Sequence, residues 1–404
     1  MAHSTAHDSQ PTSGVSRRGF LKSALVSAGL VSLSQYEVVA QIVGGSSKQQ
    51  VQGWGVEPGL VQLSGNENAL GPSPRAVEAI LKMTYSVNRY GLDPTLYRKI
   101  AQRHNVPEVD ADSPFALPKD AWVTVGAGSS EILFAIAHTF LSDDGELIEV
   151  IPGFGFMTRL AIRKGVKVVR VPLTREYSPD LTAMRKKITP NTKMVVVTTP
   201  GNPNGKLTPM QTLKPFIESL PSDVIVVVDE AYIDFADKPE DRIGAAPLIK
   251  DHPNVIVTRT FSKMYGLAGM RVGYGLAQPD VINKLNANRG NTLNILSGYG
   301  AAAALDDHEQ VRRSRELVVA GKEYFYNELK TMGIGYVPSQ SSFLLINIRI
   351  DADTVVHKLA EEYNVLVGNA KGRWNMDNWI RVTAGLPKEN ETFIAALKKV
   401  LVSN

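Results

Sequence analysis

The chain has 404 residues, 43% of them apolar, which is enough for a large core domain and a smaller one. Its 44 basic and 40 acidic residues are scattered rather than blocked, so nucleic-acid binding has little support while a local anionic ligand is allowed. The absence of cysteine removes structural disulfides, thiolate zinc sites and cysteine nucleophiles together. No metal centre is expected, and covalent chemistry falls to Lys, Ser, Thr or a carboxylate.

The N-terminus carries Ser16-Arg17-Arg18-Gly19-Phe20-Leu21-Lys22, then a mildly apolar run from Ala24 to Leu33, then Val38-Val39-Ala40. This is the pattern of a twin-arginine export signal over residues 1–40, with cleavage after the small residue Ala40. Cleavage takes away Arg17, Arg18 and Lys22 along with Asp8 and Glu37, so the net charge falls from +4 to +3. The mature chain is expected to work in the periplasm or otherwise outside the cytoplasm, exported folded by the twin-arginine translocation machinery. The apolar run is too short, and too rich in Ser and Gly, for a stable membrane anchor.

After a linker and N-terminal arm (41–62), short β-branched runs alternate with helical stretches. Strands are predicted at Trp122–Val125, Leu147–Val150, Lys167–Val171, Met194–Thr198, Val224–Val228 and Val255–Thr258. The alternation predicts an α/β fold with a mostly parallel, doubly wound sheet covered on both faces. Ligands in such sheets sit beyond the carboxyl ends of the strands. From about Gln310 the texture changes to a long charged helix, a hairpin-like stretch around Ser342–Ile348 and further helices. A large domain (63–309) and a smaller α+β domain (310–404) are expected.

Four of the predicted strand ends carry polar residues suited to one crevice. The first strand runs into Gly126-Ala127-Gly128-Ser129-Ser130-Glu131, whose backbone N–H groups at a helix start suit a phosphate. The Met194–Thr198 strand is followed by Thr199-Pro200-Gly201-Asn202-Pro203-Asn204-Gly205, a tight loop holding Asn202 at the strand end. At the exit of the all-apolar Val224–Val228 strand stands Asp229, followed by Glu230-Ala231-Tyr232; a carboxylate there is poorly solvated and wants a cation. The last strand leads to Thr260-Phe261-Ser262-Lys263, a lysine placed for nucleophilic amine chemistry, and Arg271 follows, flanked by Gly269 and Gly273, which permit close approach to an anion.

Taken in order, these motifs resemble those of fold-type I pyridoxal-5'-phosphate (PLP) aminotransferases, closest to the histidinol-phosphate aminotransferase branch, from about Leu63 to the C-terminus. The resemblance is carried by Ser64-Gly65-Asn66-Glu67-Asn68-Ala69-Leu70-Gly71-Pro72, the Gly-rich turn, the Asn-Pro-x-Gly loop, Asp229-Glu230-Ala231-Tyr232, Ser262-Lys263 and Ile380-Arg381-Val382-Thr383-Ala384-Gly385. It implies a large domain plus a smaller α+β domain, PLP as cofactor, and Lys263 as the catalytic residue that holds PLP as a Schiff base. It further implies Asp229 at the pyridinium nitrogen, Asn202 and Tyr232 at the ring O3', and Phe154 on the ring face. Ser129, Ser130, Thr260, Ser262 and Arg271 fall to the phosphate, and Tyr90 to the phosphate of a neighbouring subunit in a homodimer. Arg381 and Asn68 fall to the substrate.

The departures lie on the substrate side. The branch usually places a second arginine after the short strand before the Arg381 motif, but Val365-Leu366-Val367 is followed by Gly368; either Arg373 substitutes from the next turn or the site holds a single arginine. The usual Asn-Phe reads Ser342-Phe343, and the usual Tyr-Pro-Asp reads Tyr90-Gly91-Leu92-Asp93. The expected activity is transfer of an amino group between an amino acid or related amine and a 2-oxo acid. The alternatives are a PLP-dependent decarboxylase, cyclase or lyase, and a PLP-binding protein without turnover.

Overall fold

The computed structural model describes residues 59–91, 94–108, 119–289 and 293–402. The export signal, most of the linker, and Leu92 and Asp93 lie outside the described residues. The strands, numbered in chain order, are β1 (Val61–Leu63), β2 (Val123–Gly126), β3 (Glu146–Ile151), β4 (Lys167–Pro172), β5 (Thr192–Thr198), β6 (Ile225–Asp229), β7 (Val255–Thr260) and β8 (Gly273–Leu276), followed by β9 (Gly335–Val337), β10 (Phe343–Asn347), β11 (Val365–Asn369) and β12 (Trp379–Thr383). They form a seven-stranded sheet in the order β2-β8-β7-β6-β5-β3-β4 and a five-stranded sheet in the order β1-β11-β12-β10-β9.

All of the predicted strands are present within two residues of their expected ends. In the larger sheet β3, β4, β5, β6 and β7 run parallel, and β8 alone runs against its neighbours β2 and β7. The side-chain period of two sends successive residues to opposite faces, and both faces are dry. Ile148, Val195, Val197, Val226, Val228 and Val257 enter one apolar cluster. Their neighbours Leu147, Met194, Val196, Val227 and Ile256 enter the other. Each such side chain, fully buried, contributes about 1.5–3 kcal/mol.

Strand β8 was not anticipated, because Gly-Tyr-Gly-Leu carries little strand propensity. Its glycines answer a packing need instead. A Cβ at Gly273 would lie 2.1 Å from the backbone nitrogen of Ser129, and one at Gly275 would lie 2.9 Å from the Ile132 side chain. The helix Ser129–Phe140 therefore lies close on this strand, and only glycine admits it.

The five-stranded sheet takes its first strand from far upstream, with β1 parallel to β11 and Val61 opposite Val365. Its apolar residues Phe343, Leu344, Ile346, Ile380 and Val382 join the cluster on one face of the larger sheet, and Gly55–Asn404 forms one compact unit. The five-stranded sheet supplies Gly65 and Asn66, directly after β1, and Arg381, on β12, to the space beside the larger sheet.

Beneath the strand ends a buried ion pair locks two neighbours together. Arg259 on β7 donates from Nε to the Glu230 carboxylate at 2.8 Å, and Glu230 also accepts the Ala245 N–H at 2.6 Å. Both side chains are almost fully enclosed, so neither ion has water to fall back on. Replacing Glu230 by Ala leaves the Arg259 charge uncompensated, and urea unfolding is expected to record a loss of about 3–5 kcal/mol. A loss below about 1 kcal/mol would show that the pair does not hold β6 to β7.

Candidate active site

A cavity of about 300 Å³ opens at the carboxyl ends of β5, β6 and β7, and the strand ends, the loop after β1, the helix start after β2 and the C-terminal sheet all contribute to its wall. Of the residues singled out from sequence, Ser129, Ser130, Phe154, Asn202, Asp229, Tyr232, Thr260, Ser262, Lys263, Arg271 and Arg381 all line it.

At its base Asp229 ends β6, almost entirely buried. Its carboxylate accepts from Thr258 Oγ1 at 3.1 Å and from the Ala231 N–H, and no cation pairs with it among the described residues. Burial pushes its pKa up to about 6, and the nearby charges of Glu149 and Glu230 push the same way.

Lys263 lies beyond β7 in the wall of the same cavity. Its Nζ donates to the carbonyl of Gly65 at 3.0 Å and lies 5.8 Å from the centre of the Tyr232 ring. Tyr232 is fixed in turn: its hydroxyl accepts from Asn66 Nδ2 at 2.8 Å, and its ring meets Phe343 edge-on at 5.1 Å.

A third group of residues forms a polar cradle. Thr260 Oγ1 donates to Ser262 Oγ at 3.0 Å, Arg271 Nη1 donates to the same oxygen at 3.2 Å, and Arg271 Nη2 donates to Ser130 Oγ at 3.4 Å. Ser129 opens the helix Ser129–Phe140, whose N-terminus no side chain caps. Hydroxyls, a guanidinium and free helix N–H groups together suit an anion.

These groups fit PLP on this structure's own terms. A buried carboxylate without a counter-ion suits the protonated ring nitrogen, the cradle suits the phosphate, Phe154 offers an aromatic face, and the Lys263 amine is held in the same cavity. The carboxylate is the most specific of them, since an unpaired buried charge is expensive without a ligand cation.

On the substrate side Arg381 is 5% exposed. It donates from Nη1 to Asn202 Oδ1 at 2.7 Å and from Nη2 to the Ser64 carbonyl at 2.8 Å, while Nε is buried without a partner. Burial lowers its pKa to about 10, with the Arg373 charge adding to the effect. Arg373 lines the same cavity, so of the two alternatives left open by Gly368, the structure brings the second guanidinium in.

Two expected residues are not in the wall. Asn68 spends its amide on the Met264 carbonyl at 2.7 Å and Ser314 Oγ at 2.8 Å, so it braces the chain just after Lys263 instead of facing a substrate. Its place is taken by Asn66, two residues earlier in the same motif, whose positive φ of 55° turns its amide onto Tyr232. Tyr90 is 87% exposed and outside the cavity of its own chain.

Sequence reasoning also missed Glu149. It lies on β3, fully enclosed, and accepts from Gly155 N at 3.2 Å, Thr158 N at 3.3 Å and Thr158 Oγ1 at 2.5 Å. The carboxylate thus fastens the loop that carries Phe154. The available signal was a glutamate in the middle of the apolar run Glu146-Leu147-Ile148-Glu149-Val150-Ile151, which alternation alone would have made a surface position.

Because Asp229 holds its proton more tightly folded than unfolded, it supports the ligand-free protein fully below its ordinary value of 3.8, and that support is lost as pH rises through about 6. Asp229→Asn removes this dependence. The stability of the variant relative to the parent, measured by urea unfolding without ligand, is expected to grow by on the order of 3 kcal/mol between about pH 4 and about pH 8. A flat difference across that range would mean that the carboxylate is not perturbed.

Comparison with known proteins agrees with this geometry. The profile of the family "Aminotransferase class I and II" matches residues 58–397. The histidinol-phosphate aminotransferase of Moorella thermoacetica is 35% identical over 346 residues, covering 85% of this chain and 86% of the relative. That of Symbiobacterium thermophilum is 37% identical over 345 residues, covering 85% and 91%. In fold, the chain is similar to the crystal structure of histidinol-phosphate aminotransferase from Sinorhizobium meliloti in complex with pyridoxal-5'-phosphate, with a TM-score of 0.76 at 24% identity over 85% of this chain and 91% of that one. With the family profile spanning most of its length and relatives this similar, the chain belongs to the class I and II aminotransferases and is a PLP-dependent transaminase.

Proposed function

We propose that the cavity between the two sheets transfers an amino group between an amino acid or related amine and a 2-oxo acid, in a homodimer working outside the cytoplasm. The observation that carries the reading is the convergence of Asp229, Lys263 and the Arg271 cradle on one cavity. When bound, PLP supplies an electron-withdrawing ring that acidifies the Cα–H of the substrate.

The chain's own residues divide the rest of the work. Lys263 supplies the amine that anchors the cofactor and, once released, the base that moves a proton at Cα. Asp229 keeps the proton on the ring nitrogen, since a charged carboxylate in a dry site favours a cation beside it. Asn202 and Tyr232 face the ring oxygen; Tyr232 is held by Asn66, and Asn202 by Arg381. Phe154 covers one ring face. Ser129, Ser130, Thr260, Ser262 and Arg271 hold the phosphate, and Arg381 orients an anionic group of the substrate through the N–H groups that its bonds to Asn202 and Ser64 leave over.

Tyr90, exposed on its own subunit, suits a role across a dimer interface at the partner's phosphate. The reading divides the chain into a cofactor domain (63–309) and a smaller domain (310–404). The relatives are named for histidinol phosphate; Gly368 and Ser342 stand where that branch usually has other residues, so the reading stops at amino acids and related amines. Those same relatives are named aminotransferases, which leaves the decarboxylase, cyclase or lyase alternative without separate support.

For the cofactor roles, Lys263→Ala is expected to abolish the visible absorbance of covalently held PLP and to reduce turnover by at least about a thousandfold. In the parent enzyme an amino donor added alone should convert the bound cofactor stoichiometrically to its amine form. A spectrum that returns to its starting state with the donor consumed would instead mark a lyase.

The export reading rests on the twin-arginine pattern at Arg17 and Arg18. A reporter that is active only when exported folded, fused after Ala40, is expected to lose its signal when both arginines become lysine. Unchanged export of that double variant would remove the twin-arginine assignment.

A further inference from the structure

Glu131 puts a carboxylate into the first turn of a helix whose start is offered to an anion. It is the third residue of the helix Ser129–Phe140, and a glutamate there ordinarily folds back onto the N–H groups of the helix start, drawn by their partial positive charge. Those are the groups that the cradle presents to a phosphate. A carboxylate among them competes for the same donors and repels the phosphate's charge.

Here the carboxylate is turned elsewhere and held. Glu131 Oε2 accepts the N–H of Ala127, before the helix begins, and a Cβ at Gly126 would lie 2.8 Å from that same oxygen, so the turn itself makes room for it. The usual donor to such a glutamate, the N–H of the cap residue Gly128, goes instead to the Gly126 carbonyl at 2.7 Å. Glu131 Oε1 accepts from Arg289 Nε at 3.3 Å, and the Arg289 side chain is only 3% exposed.

Arg289 is tied down in turn by its other neighbours. Its Nη1 donates to Thr124 Oγ1 on β2 at 2.9 Å, and Thr124 donates to Asn286 Oδ1 at 2.6 Å, near the end of the helix Pro279–Ala287. The Tyr97 side chain also hydrogen-bonds the guanidinium. An enclosed guanidinium anchored in this way keeps its place, and its charge offsets that of the carboxylate at short range. Both residues of the pair stand outside the cavity wall, whereas Ser129 and Ser130 line it.

We propose that Arg289 is a positioning residue for the cofactor: it holds Glu131 against Ala127 and neutralises it, which keeps the helix start open to a phosphate and makes the site prefer PLP over pyridoxal, its unphosphorylated form. The inference rests on the assignment of the Gly-rich turn and Arg271 to the phosphate. Without Arg289, Glu131 has no cation to hold it and turns to the N–H groups of Ser129 and Ser130, where it excludes the phosphate.

The full chain, freed of bound cofactor, is titrated with PLP and with pyridoxal, followed by the visible absorbance that covalent attachment at Lys263 produces. Pyridoxal shares the ring contacts, so a loosened fold lowers both affinities while a lost phosphate contact lowers one. Arg289→Gln is expected to lower the ratio of PLP to pyridoxal affinity about tenfold, the worth of a charge-assisted contact, and Arg289→Lys to lower it less. Glu131→Gln added to Arg289→Gln is expected to recover most of that loss, because the side chain then carries no charge. Equal losses for PLP and pyridoxal in Arg289→Gln, or a double variant as poor as the single one, overturn the proposal.

Glu131→Gln alone keeps the guanidinium and an oxygen for Ala127, and so tests the idea with Arg289 in place. A ratio at or above that of the parent is expected; a fall of about tenfold means that the turn needs the carboxylate itself, and the proposal fails. Arg271→Gln separates the underlying assignment. A ratio that survives both Arg271→Gln and Arg289→Gln puts the phosphate elsewhere and overturns both readings. A ratio that collapses in Arg271→Gln alone keeps the phosphate assignment and overturns the role of Arg289.

Discussion

A carboxylate in the dry centre of a parallel sheet needs a cation, and Asp229 pairs with none among the described residues. Much of the molecule is arranged to keep it so. The strands on either side are apolar on both faces, which denies the carboxylate water. Arg259, on the neighbouring strand, is committed to Glu230. The field of Glu149 and Glu230 adds to the desolvation. A desolvated carboxylate so placed favours a positively charged ring beside it, and folding sets the carboxylate in position before the ring arrives.

The same logic explains which parts of the site were legible in the sequence. Strand ends are readable because buried parallel strands are continuous apolar runs, and a polar residue that stops one stands out. Asp229, Asn202 and Lys263 were found that way, and the structure brings their side chains to one cavity. The fold class followed from the same runs. What stayed hidden depended on direction rather than identity. Asn66 and Asn68 are the same residue type two positions apart, and only a left-handed backbone at Asn66 determines which of them reaches Tyr232. Glu149 sits on a strand whose two faces are both buried, so the alternation that marks a solvent face elsewhere does not apply. Strand β8 is built from glycines for clearance, and clearance leaves no mark in propensity.

Cofactor side and substrate side also differ in what holds them. The cradle residues stand at the ends of strands and at a helix start, each tied by hydrogen bonds to its neighbour. On the other side, Phe154 and Phe156 flank a loop secured chiefly by Glu149, and Arg373 sits on the short helix Ala370–Trp374. Trp374 links the two by donating its indole N–H to the Gly153 carbonyl at 2.7 Å. A site that keeps one chemistry but changes its substrate can do so by altering this second group alone, leaving the sheet untouched.

The strand β1 gives the chain a particular order of completion. Val61–Leu63 has its partner in Val365–Val367, and Gly65 and Asn66, which follow it directly, are the residues that hold Lys263 and Tyr232. These first residues of the site have no fixed position until the last strands of the chain exist to receive them. A growing chain can assemble most of the large sheet early, but the wall that holds the reactive amine closes only at the end, through a pairing of residues about three hundred positions apart in sequence. A truncated or interrupted product would therefore carry the phosphate cradle without a finished lysine, able to attract the cofactor's charge but not to place its carbonyl.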